Sequence, residues 1–214
     1  MKKQIALLVV VATLACCSIS QASITGATWE NLNYNALNCT SNAFASDTLG
    51  MYGVQKGGAA SMKAIIDTDT IADPNLTLSS SVNNDTGFAW NGYQVNVVMS
   101  VPFAFTAPAP NVQNPPTGDW FLAGVVPPTL QGGASPWSGY YEGTLDFSAG
   151  TPVGIGEELD FQYTVTFGSS THYIITQEMI PSMVTIPEPS TIALLAIGGL
   201  GLVMRLRRSS RIGA

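Results

Sequence analysis

Hydrophobic and polar residues alternate strictly in three segments of the chain. The apolar positions of these segments are Tyr93, Val95, Val97, Met99 and Val101; Tyr141, Gly143, Leu145 and Phe147; and Leu159, Phe161, Tyr163, Val165 and Phe167. An alternation of period two is typical of strands that bury one face and expose the other to water, as in antiparallel sheets. We therefore expect three antiparallel strands with one buried face each.

Weaker patterns extend this interpretation to most of the chain. Residues 76–82, 120–126 and 172–179 alternate less regularly, and turn-forming residues occupy 83–87 and 148–152. Many short strands separated by turns predict an all-β fold, namely an antiparallel β-sandwich of the jelly-roll or immunoglobulin-like kind. Two segments depart from this pattern. Residues 102–136, which hold eight of the thirteen prolines, predict long loops around one short strand, and residues 59–66 predict a short helix.

Composition and charge narrow the possible functions. Only 10% of the residues are charged, and 21 glycines and 13 prolines favour strands and turns over helices. Six of the eight basic residues lie in the two end segments. Residues 23–187 therefore contain Lys56 and Lys63 against thirteen acidic residues, a formal balance of −11. Because nucleic-acid binding requires basic side chains that neutralise phosphates, we do not expect it for this chain.

The first 22 residues have the pattern of a signal peptide. Two lysines precede an apolar run over residues 5–17, and small residues precede a predicted cleavage between Ala22 and Ser23. The apolar run is short for a membrane-spanning helix. A lipobox ending at Cys16 is a weaker alternative, because the residue at its first position fits poorly. Cleavage leaves Cys39 as the one cysteine, so no intrachain disulfide is expected.

The C-terminal segment 186–211 combines three features. Pro187, Glu188 and Pro189 form a short motif, and residues 192–204 form an apolar run that predicts a transmembrane helix. A cluster of arginines follows this run: Arg205, Arg207, Arg208 and Arg211. Arginines at one end of a membrane helix act as a stop-transfer signal and stay in the cytoplasm. The domain between the two end segments, residues 23–185, is then expected on the other side of the membrane.

This combination of motif, apolar helix and basic cluster resembles the PEP-CTERM sorting domain of Gram-negative bacteria, a tail that some family models label "ice-binding protein C-terminal domain". The resemblance covers residues 186–211. It implies recognition by an exosortase, a membrane protease-transpeptidase that cuts near the motif, so that Pro187, Glu188 and Pro189 would be substrate residues. It also implies a bacterium that makes extracellular polysaccharide. The expected location is the inner membrane during sorting, then the cell surface or the extracellular matrix.

A catalytic triad has one candidate histidine. His172 has Ser169, Ser170 and Asp160 near it in sequence, and a triad requires a nucleophile and an orienting carboxylate around the imidazole. The strand-to-helix pattern that surrounds a nucleophilic serine in many hydrolases is missing from the sequence. We therefore expect His172 to be a surface residue or a hydrogen-bonded residue of a strand.

Glycoside hydrolysis requires two carboxylates that flank one bond. Glu157 and Glu158 are adjacent, and neighbours in an extended chain point to opposite faces, so this pair is unsuitable. A more distant pair such as Glu142 and Glu178 stays open. The sequence thus favours a protein without enzymatic activity.

Metal binding also has one candidate site. Asp67, Asp69 and Asp73 alternate on a predicted loop and have the oxygen ligands that calcium prefers. An EF-hand-type loop needs a further ligand and a glycine where Ile71 and Ala72 stand. Calcium therefore stays open for this loop. One histidine and one thiol are too few for a usual zinc site, so no metal or cofactor is expected elsewhere.

Aromatic residues are the basis of an alternative interpretation of the function. Trp90, Trp120, Trp137, Tyr140 and Tyr141 have side chains that either stack on sugar rings or fill the core of a sandwich. The sequence predicts a non-enzymatic exported protein of the cell surface or extracellular matrix. A carbohydrate-binding module that acts on extracellular polysaccharide is the alternative, and a secreted hydrolase is the third interpretation.

Overall fold

The computed structural model describes residues 22–183, apart from residues 34, 114, 116 and 133–138. In this part of the chain the alternating segments form strands, and no residue is helical. The strands are β1 (Ile24–Asn31), β2 (Leu37–Ala45), β3 (Thr48–Gln55), β4 (Ala60–Thr68), β5 (Asn75–Asn84), β6 (Trp90–Met99), β7 (Phe103–Gln113), β8 (Phe121–Gln131), β9 (Tyr140–Val153), β10 (Glu158–Phe167) and β11 (His172–Met183). The predicted all-β class is confirmed.

The strands form two sheets. The six-stranded sheet has the order β1-β4-β11-β6-β9-β8 and is antiparallel throughout. The five-stranded sheet has the order β2-β3-β5-β10-β7 and contains one parallel pair, β3 with β5. The chain passes from one sheet to the other after β1, β3, β4, β5, β6, β7, β9 and β10. Strands β4, β11 and β6 are neighbours in one sheet, and β5, β10 and β7 are neighbours in the other.

Aromatic side chains join the inner faces of the two sheets. The ring of Phe161 on β10 lies 5.5 Å from the ring of Tyr93 on β6 and 5.7 Å from that of Phe147 on β9. Phe167 and Tyr173 make a similar contact across the sheets at 4.6 Å. These positions belong to the apolar half of each alternating segment, which is buried as predicted. The outer halves of the same strands therefore face water.

Two tyrosines link the sheets by buried hydrogen bonds. The hydroxyl of Tyr93 donates to Gln55 Oε1 at 2.5 Å, and that of Tyr163 donates to Gln177 Oε1 at 2.6 Å. Gln55 Nε2 also donates to the carbonyl of Met179. Complete burial raises the pKa of both tyrosines well above the ordinary value, because a phenolate would lose its hydration. These bonds fix the position of one sheet on the other.

The helix predicted at residues 59–66 is wrong. This segment is part of β4, which lies between β1 and β11. Its buried positions are Ala60, Met62, Ala64 and Ile66. Alanine, methionine and lysine favour helices locally, but pairing with two neighbouring strands and burial at every second position decide the outcome.

The long loops predicted at residues 102–136 are also wrong, because β7 and β8 occupy most of this segment. Each strand lies at the edge of its sheet, where proline is tolerated, and the register of each shifts around its prolines. In β8, Pro127 and Pro128 together face Gly143 of β9. A side chain at residue 143 would clash, because its Cβ would lie 2.9 Å from Pro128 and 2.8 Å from Phe105.

The turn predicted at residues 148–152 is an irregularity within β9. Trp90 of β6 pairs with Val153, and Gly92 pairs with Ser148, so the residues between Ser148 and Val153 form a bulge. Glycine and proline in this segment interrupt the ladder without reversing the chain.

Several predicted features lie outside the described residues. They are residues 1–21 of the signal peptide, the whole tail 186–211 with its motif and arginines, and Trp137. Among the residues that the structure describes, no helix is long and apolar enough to cross a membrane. All eleven strands belong to one compact unit.

Candidate functional site

The residues of the candidate triad do not meet, and His172 is an exposed, hydrogen-bonded strand residue, as expected. His172 on β11 lies opposite Asp67 on β4, and its Nδ1 is 2.7 Å from Asp67 Oδ1, with both side chains largely exposed. The hydroxyl of Ser170 donates to the backbone carbonyl of His172 at 2.9 Å. Asp160 lies on β10, in the other sheet. Within the described chain, no serine hydroxyl is hydrogen-bonded to the imidazole of His172, so these residues do not form a nucleophile and base.

The predicted carboxylate pair is separated by a strand. Glu178 pairs with Asn96 of β6, whereas Glu142 pairs with Val98 of β6 on the other side. Strand spacing and rise place their Cα atoms roughly 12 Å apart. Asn96 Nδ2 also donates a hydrogen bond to Glu178 Oε2 at 3.1 Å. A glycosidase directs both carboxyl groups at one bond, whereas Glu178 is hydrogen-bonded to Asn96, so the arrangement does not favour this chemistry.

The three aspartates of the candidate calcium loop face different partners. Asp67 contacts His172, and Asp69 Oδ1 accepts a hydrogen bond from the backbone N–H of Ser23 at 2.8 Å. Asp73 Oδ1 occupies the space next to Gly168 where a side chain would begin. In the described part of the chain, no three histidine, cysteine or acidic side chains lie close enough to hold a metal ion. The geometry therefore provides no ligand set at this loop.

Most of the candidate stacking aromatics belong to the core. Trp90 is fully buried, and its Nε1 donates to Thr86 Oγ1 at 3.0 Å. Trp120 is 4% exposed, and its Nε1 donates to the carbonyl of Thr151 at 2.8 Å. Tyr141 packs against the core, whereas Tyr140 is 42% exposed. Of the candidate sugar-stacking residues in the described chain, Tyr140 alone presents a well-exposed ring.

A different surface collects polar side chains, on the outer face of the five-stranded sheet. Its two central rows follow from strand register: Asp160 lies beside Ser81 and Tyr52, and Gln162 lies beside Ser79 and Gly50. Since Gly50 has no side chain, the face is recessed at this point. The result is a shallow groove of about 480 Å³. We call it the serine groove; its outward-facing lining residues are Gly50, Ser79, Ser81, Glu158, Asp160 and Gln162.

The serine groove offers hydrogen-bonding groups to solvent. Among the described residues, none of the side chains of Ser79, Ser81, Asp160 and Gln162 has a hydrogen-bond partner. Hydroxyl, amide and carboxylate groups can each exchange water for the hydroxyls of a ligand. Tyr52, which is 39% exposed, lies beside the groove on the same face. The groove therefore combines donors, acceptors and one accessible ring.

The sequence predicted one side of the serine groove and missed the other. Asp160 and Gln162 were expected on the wet face of their strand, and they are there. The serines of β5 and Gly50 of β3 gave no comparable signal, because β3 and β5 pair in parallel and are separated by β4 in the chain. A run of serines on a strand indicates such a groove only once the neighbouring strands of the sheet are known.

Comparison with known proteins identifies the C-terminal segment. Residues 185–208 match the PEP-CTERM protein-sorting motif, which confirms the resemblance predicted from Pro187, Glu188 and Pro189. No curated protein matches the chain. A solved structure described as the unique CBM3- of Hungateiclostridium clariflavum is similar at 8% identity, covering 78% of this chain and 100% of that chain, with a TM-score of 0.20. This TM-score is too low to support any argument about fold or function. The sorting motif implies an exported protein that is processed at the membrane.

Proposed function

We propose that this chain is a non-enzymatic exported protein of the cell surface or extracellular matrix, which an exosortase-type membrane protease processes at its C-terminal tail. The observation that supports this most directly is the sorting motif at residues 185–208. The tail would anchor the chain in the inner membrane only until it is cut near Pro187.

The strand order favours the jelly-roll form of a sandwich, since successive strands from β4 to β7 alternate between two sheets.

The processing step can be tested on the protein from its native host. Mass spectrometry of both termini is expected to find a mature chain that ends near Pro187. Replacing Pro187, Glu188 and Pro189 by alanine should keep the tail intact and hold the chain in the inner-membrane fraction. Pro152→Ala, a proline change in an exposed part of β9, is the control and should be processed normally. Wild-type chains found at the cell surface with the tail intact through Ala214 would contradict the proposal.

The second candidate function is binding of extracellular polysaccharide in the serine groove. Sugars present hydroxyl groups around an apolar ring face, and the groove offers matching hydroxyl, amide and carboxylate groups beside the ring of Tyr52. Asp160 and Glu158 make the groove acidic, and its described lining contains no basic residue. Like charges repel across such a site. The expected ligand is therefore an uncharged polysaccharide rather than an acidic one.

Binding is tested with dextran and mannan as uncharged polymers and alginate as an acidic one, in affinity electrophoresis of the exported protein. Gly50→Leu should weaken retention by an uncharged polymer at least tenfold, because a Cβ fits at residue 50 and the larger side chain then fills the groove. Gly26→Leu is the matched control on the other sheet, where a Cβ also has space. Retention by alginate alone, or equal losses in the two variants, would contradict groove binding.

A further inference from the structure

The N-terminal end of β1 is held by two reciprocal hydrogen bonds. The backbone N–H of Ser23 donates to Asp69 Oδ1 at 2.8 Å, and the backbone N–H of Asp69 donates to the carbonyl of Ser23 at 3.1 Å. Strand β1 is an edge strand of the six-stranded sheet. Its register with β4 shifts between Ile24 and Gly26, directly after Ser23. Asp69 therefore holds the strand at the point where its pairing is irregular.

Ser23 is also the residue at which the sequence predicts the mature chain to begin. Hydrolysis breaks the bond between the carbonyl carbon of Ala22 and the nitrogen of Ser23; water supplies a hydroxyl to Ala22 and a proton to the nitrogen. The released α-amine takes a further proton from solvent, since such amines are largely protonated at neutral pH. We infer that Asp69 is the binding site of this α-ammonium group. Removal of the signal peptide then replaces the hydrogen bond between a neutral amide and this carboxylate with an ion pair that closes the end of β1.

The neighbouring carboxylates are engaged with other groups. Asp67 contacts His172, and Asp73 lies against Gly168. In the described chain no lysine, arginine or histidine pairs with Asp69. Asp69 is thus available to the new charge, and the attraction between opposite charges is added to a hydrogen bond that the carboxylate already strengthens.

The ion pair depends on where the chain is cut. One residue of extended chain spans about 3.3–3.6 Å. A cut one residue before Ser23 moves the ammonium group that distance away, beyond the reach of a direct hydrogen bond. A cut one residue after Ser23 removes both of its bonds to Asp69. Cleavage between Ala22 and Ser23 therefore matches the fold, and it strengthens the N-terminal end of an edge strand.

The test uses the full chain, expressed with its signal peptide and recovered after export. Mass spectrometry establishes the first residue, and the rate at which an amine-reactive reagent labels the α-amine is measured against the side chain of Lys56. We expect Asp69→Asn to raise this rate about two- to fivefold, the loss of one exposed ion pair. Asp73→Asn is the matched control, since it makes the same change in the same turn. It should label at the wild-type rate.

Hydrogen exchange provides a second measurement. The first amides of β1 should exchange faster in Asp69→Asn than in wild type, and no faster in Asp73→Asn. A mature chain that begins elsewhere than Ser23 would overturn the inference, as would equal labelling rates in the two variants. Neither result bears on the serine groove, which lies on the other sheet.

Discussion

The outer faces of the two sheets are both polar, but they use their polar side chains differently. On the six-stranded sheet, Gln94 donates to Asp146 at 2.9 Å, Asn96 donates to Glu178 at 3.1 Å, and Thr144 donates to Asn96 at 3.0 Å. These bonds run across β9, β6 and β11. On the five-stranded sheet, the serine groove has no such bonds among its described side chains. On the five-stranded sheet, Thr77 and Thr164 also bond to each other outside the groove. The serine groove alone therefore leaves its hydrogen-bonding groups to water, whereas the polar row of the six-stranded sheet satisfies itself.

This difference shows that polarity alone does not identify a binding surface. A ligand that binds the six-stranded face must replace protein hydrogen bonds, which costs more than replacing water. A ligand in the serine groove displaces water only, and the recess at Gly50 adds contact area. The count of polar residues on the two faces is therefore less informative than the partners of each side chain.

The largest effect is expected beneath the serine groove. Phe161→Ala removes the ring that contacts Tyr93 and Phe147, and should lower the free energy of unfolding by about 3–5 kcal/mol. Gln162→Ala changes the next residue, which points to the outside, and should stay within about 0.5 kcal/mol of wild type. Urea denaturation measures both values. Similar losses in the two variants would mean that the groove residues carry stability, and the contrast between core and face would fail.

A somewhat smaller effect is expected at alkaline pH, in the bonds that join the two sheets. Burial raises the pKa of Tyr93 and Tyr163, so the unfolded chain releases these protons near pH 10 while the folded chain still holds them. The contribution of these two tyrosines to the free energy of unfolding is complete below about pH 10. It should then fall by about 1.4 kcal/mol per pH unit for each tyrosine as the pH rises towards the folded pKa. Denaturation of wild type, Tyr93→Phe and Tyr163→Phe at pH 9 to 11 tests this expectation. Tyr140→Phe, at an exposed position, is the control. If the free energy of unfolding falls as steeply with pH in both core variants as in wild type, the expectation is wrong.

The smallest effect compares the two outer faces directly. Asn96→Ala should lower the free energy of unfolding by about 1 kcal/mol, because it leaves Glu178 and Thr144 without their partner. Ser81→Ala should change stability by less than about 0.5 kcal/mol and weaken polysaccharide retention instead. Thermal unfolding and affinity electrophoresis of the same two proteins separate these outcomes. A larger destabilisation by Ser81→Ala than by Asn96→Ala would contradict the difference between the two faces.

Alternation along the chain predicted the strands well, because burial of every second residue is a local property of the sequence. The pattern at Leu159 to Phe167 predicted both the strand and its buried face. It could not predict which strands are neighbours, since pairing joins segments as distant as Asp67 and His172. The helix predicted for residues 59–66 is wrong for the same reason, because the deciding contacts of β4 come from β1 and β11.

The functional surfaces were less predictable than the fold. Asn84 shows why, since the segment around it was predicted as a simple turn. Its buried Nδ2 donates to the carbonyls of Phe88 and Val153, and its Oδ1 accepts a hydrogen bond from Thr86. A residue that organises a loop and one that binds a ligand have the same side chain. Only the three-dimensional partners distinguish the two roles.

Prolines in the edge strands β7 and β8 are expected to oppose fibre growth. Pro108 and Pro110 in β7, and Pro127 and Pro128 in β8, have no N–H to donate to an added strand. Replacing Pro127 and Pro128 by threonine should therefore accelerate amyloid formation, measured by thioflavin fluorescence; an unchanged lag time would refute this. Copies of a protein at high concentration can pair through unprotected strand edges. One edge of each sheet cannot offer those copies an uninterrupted template.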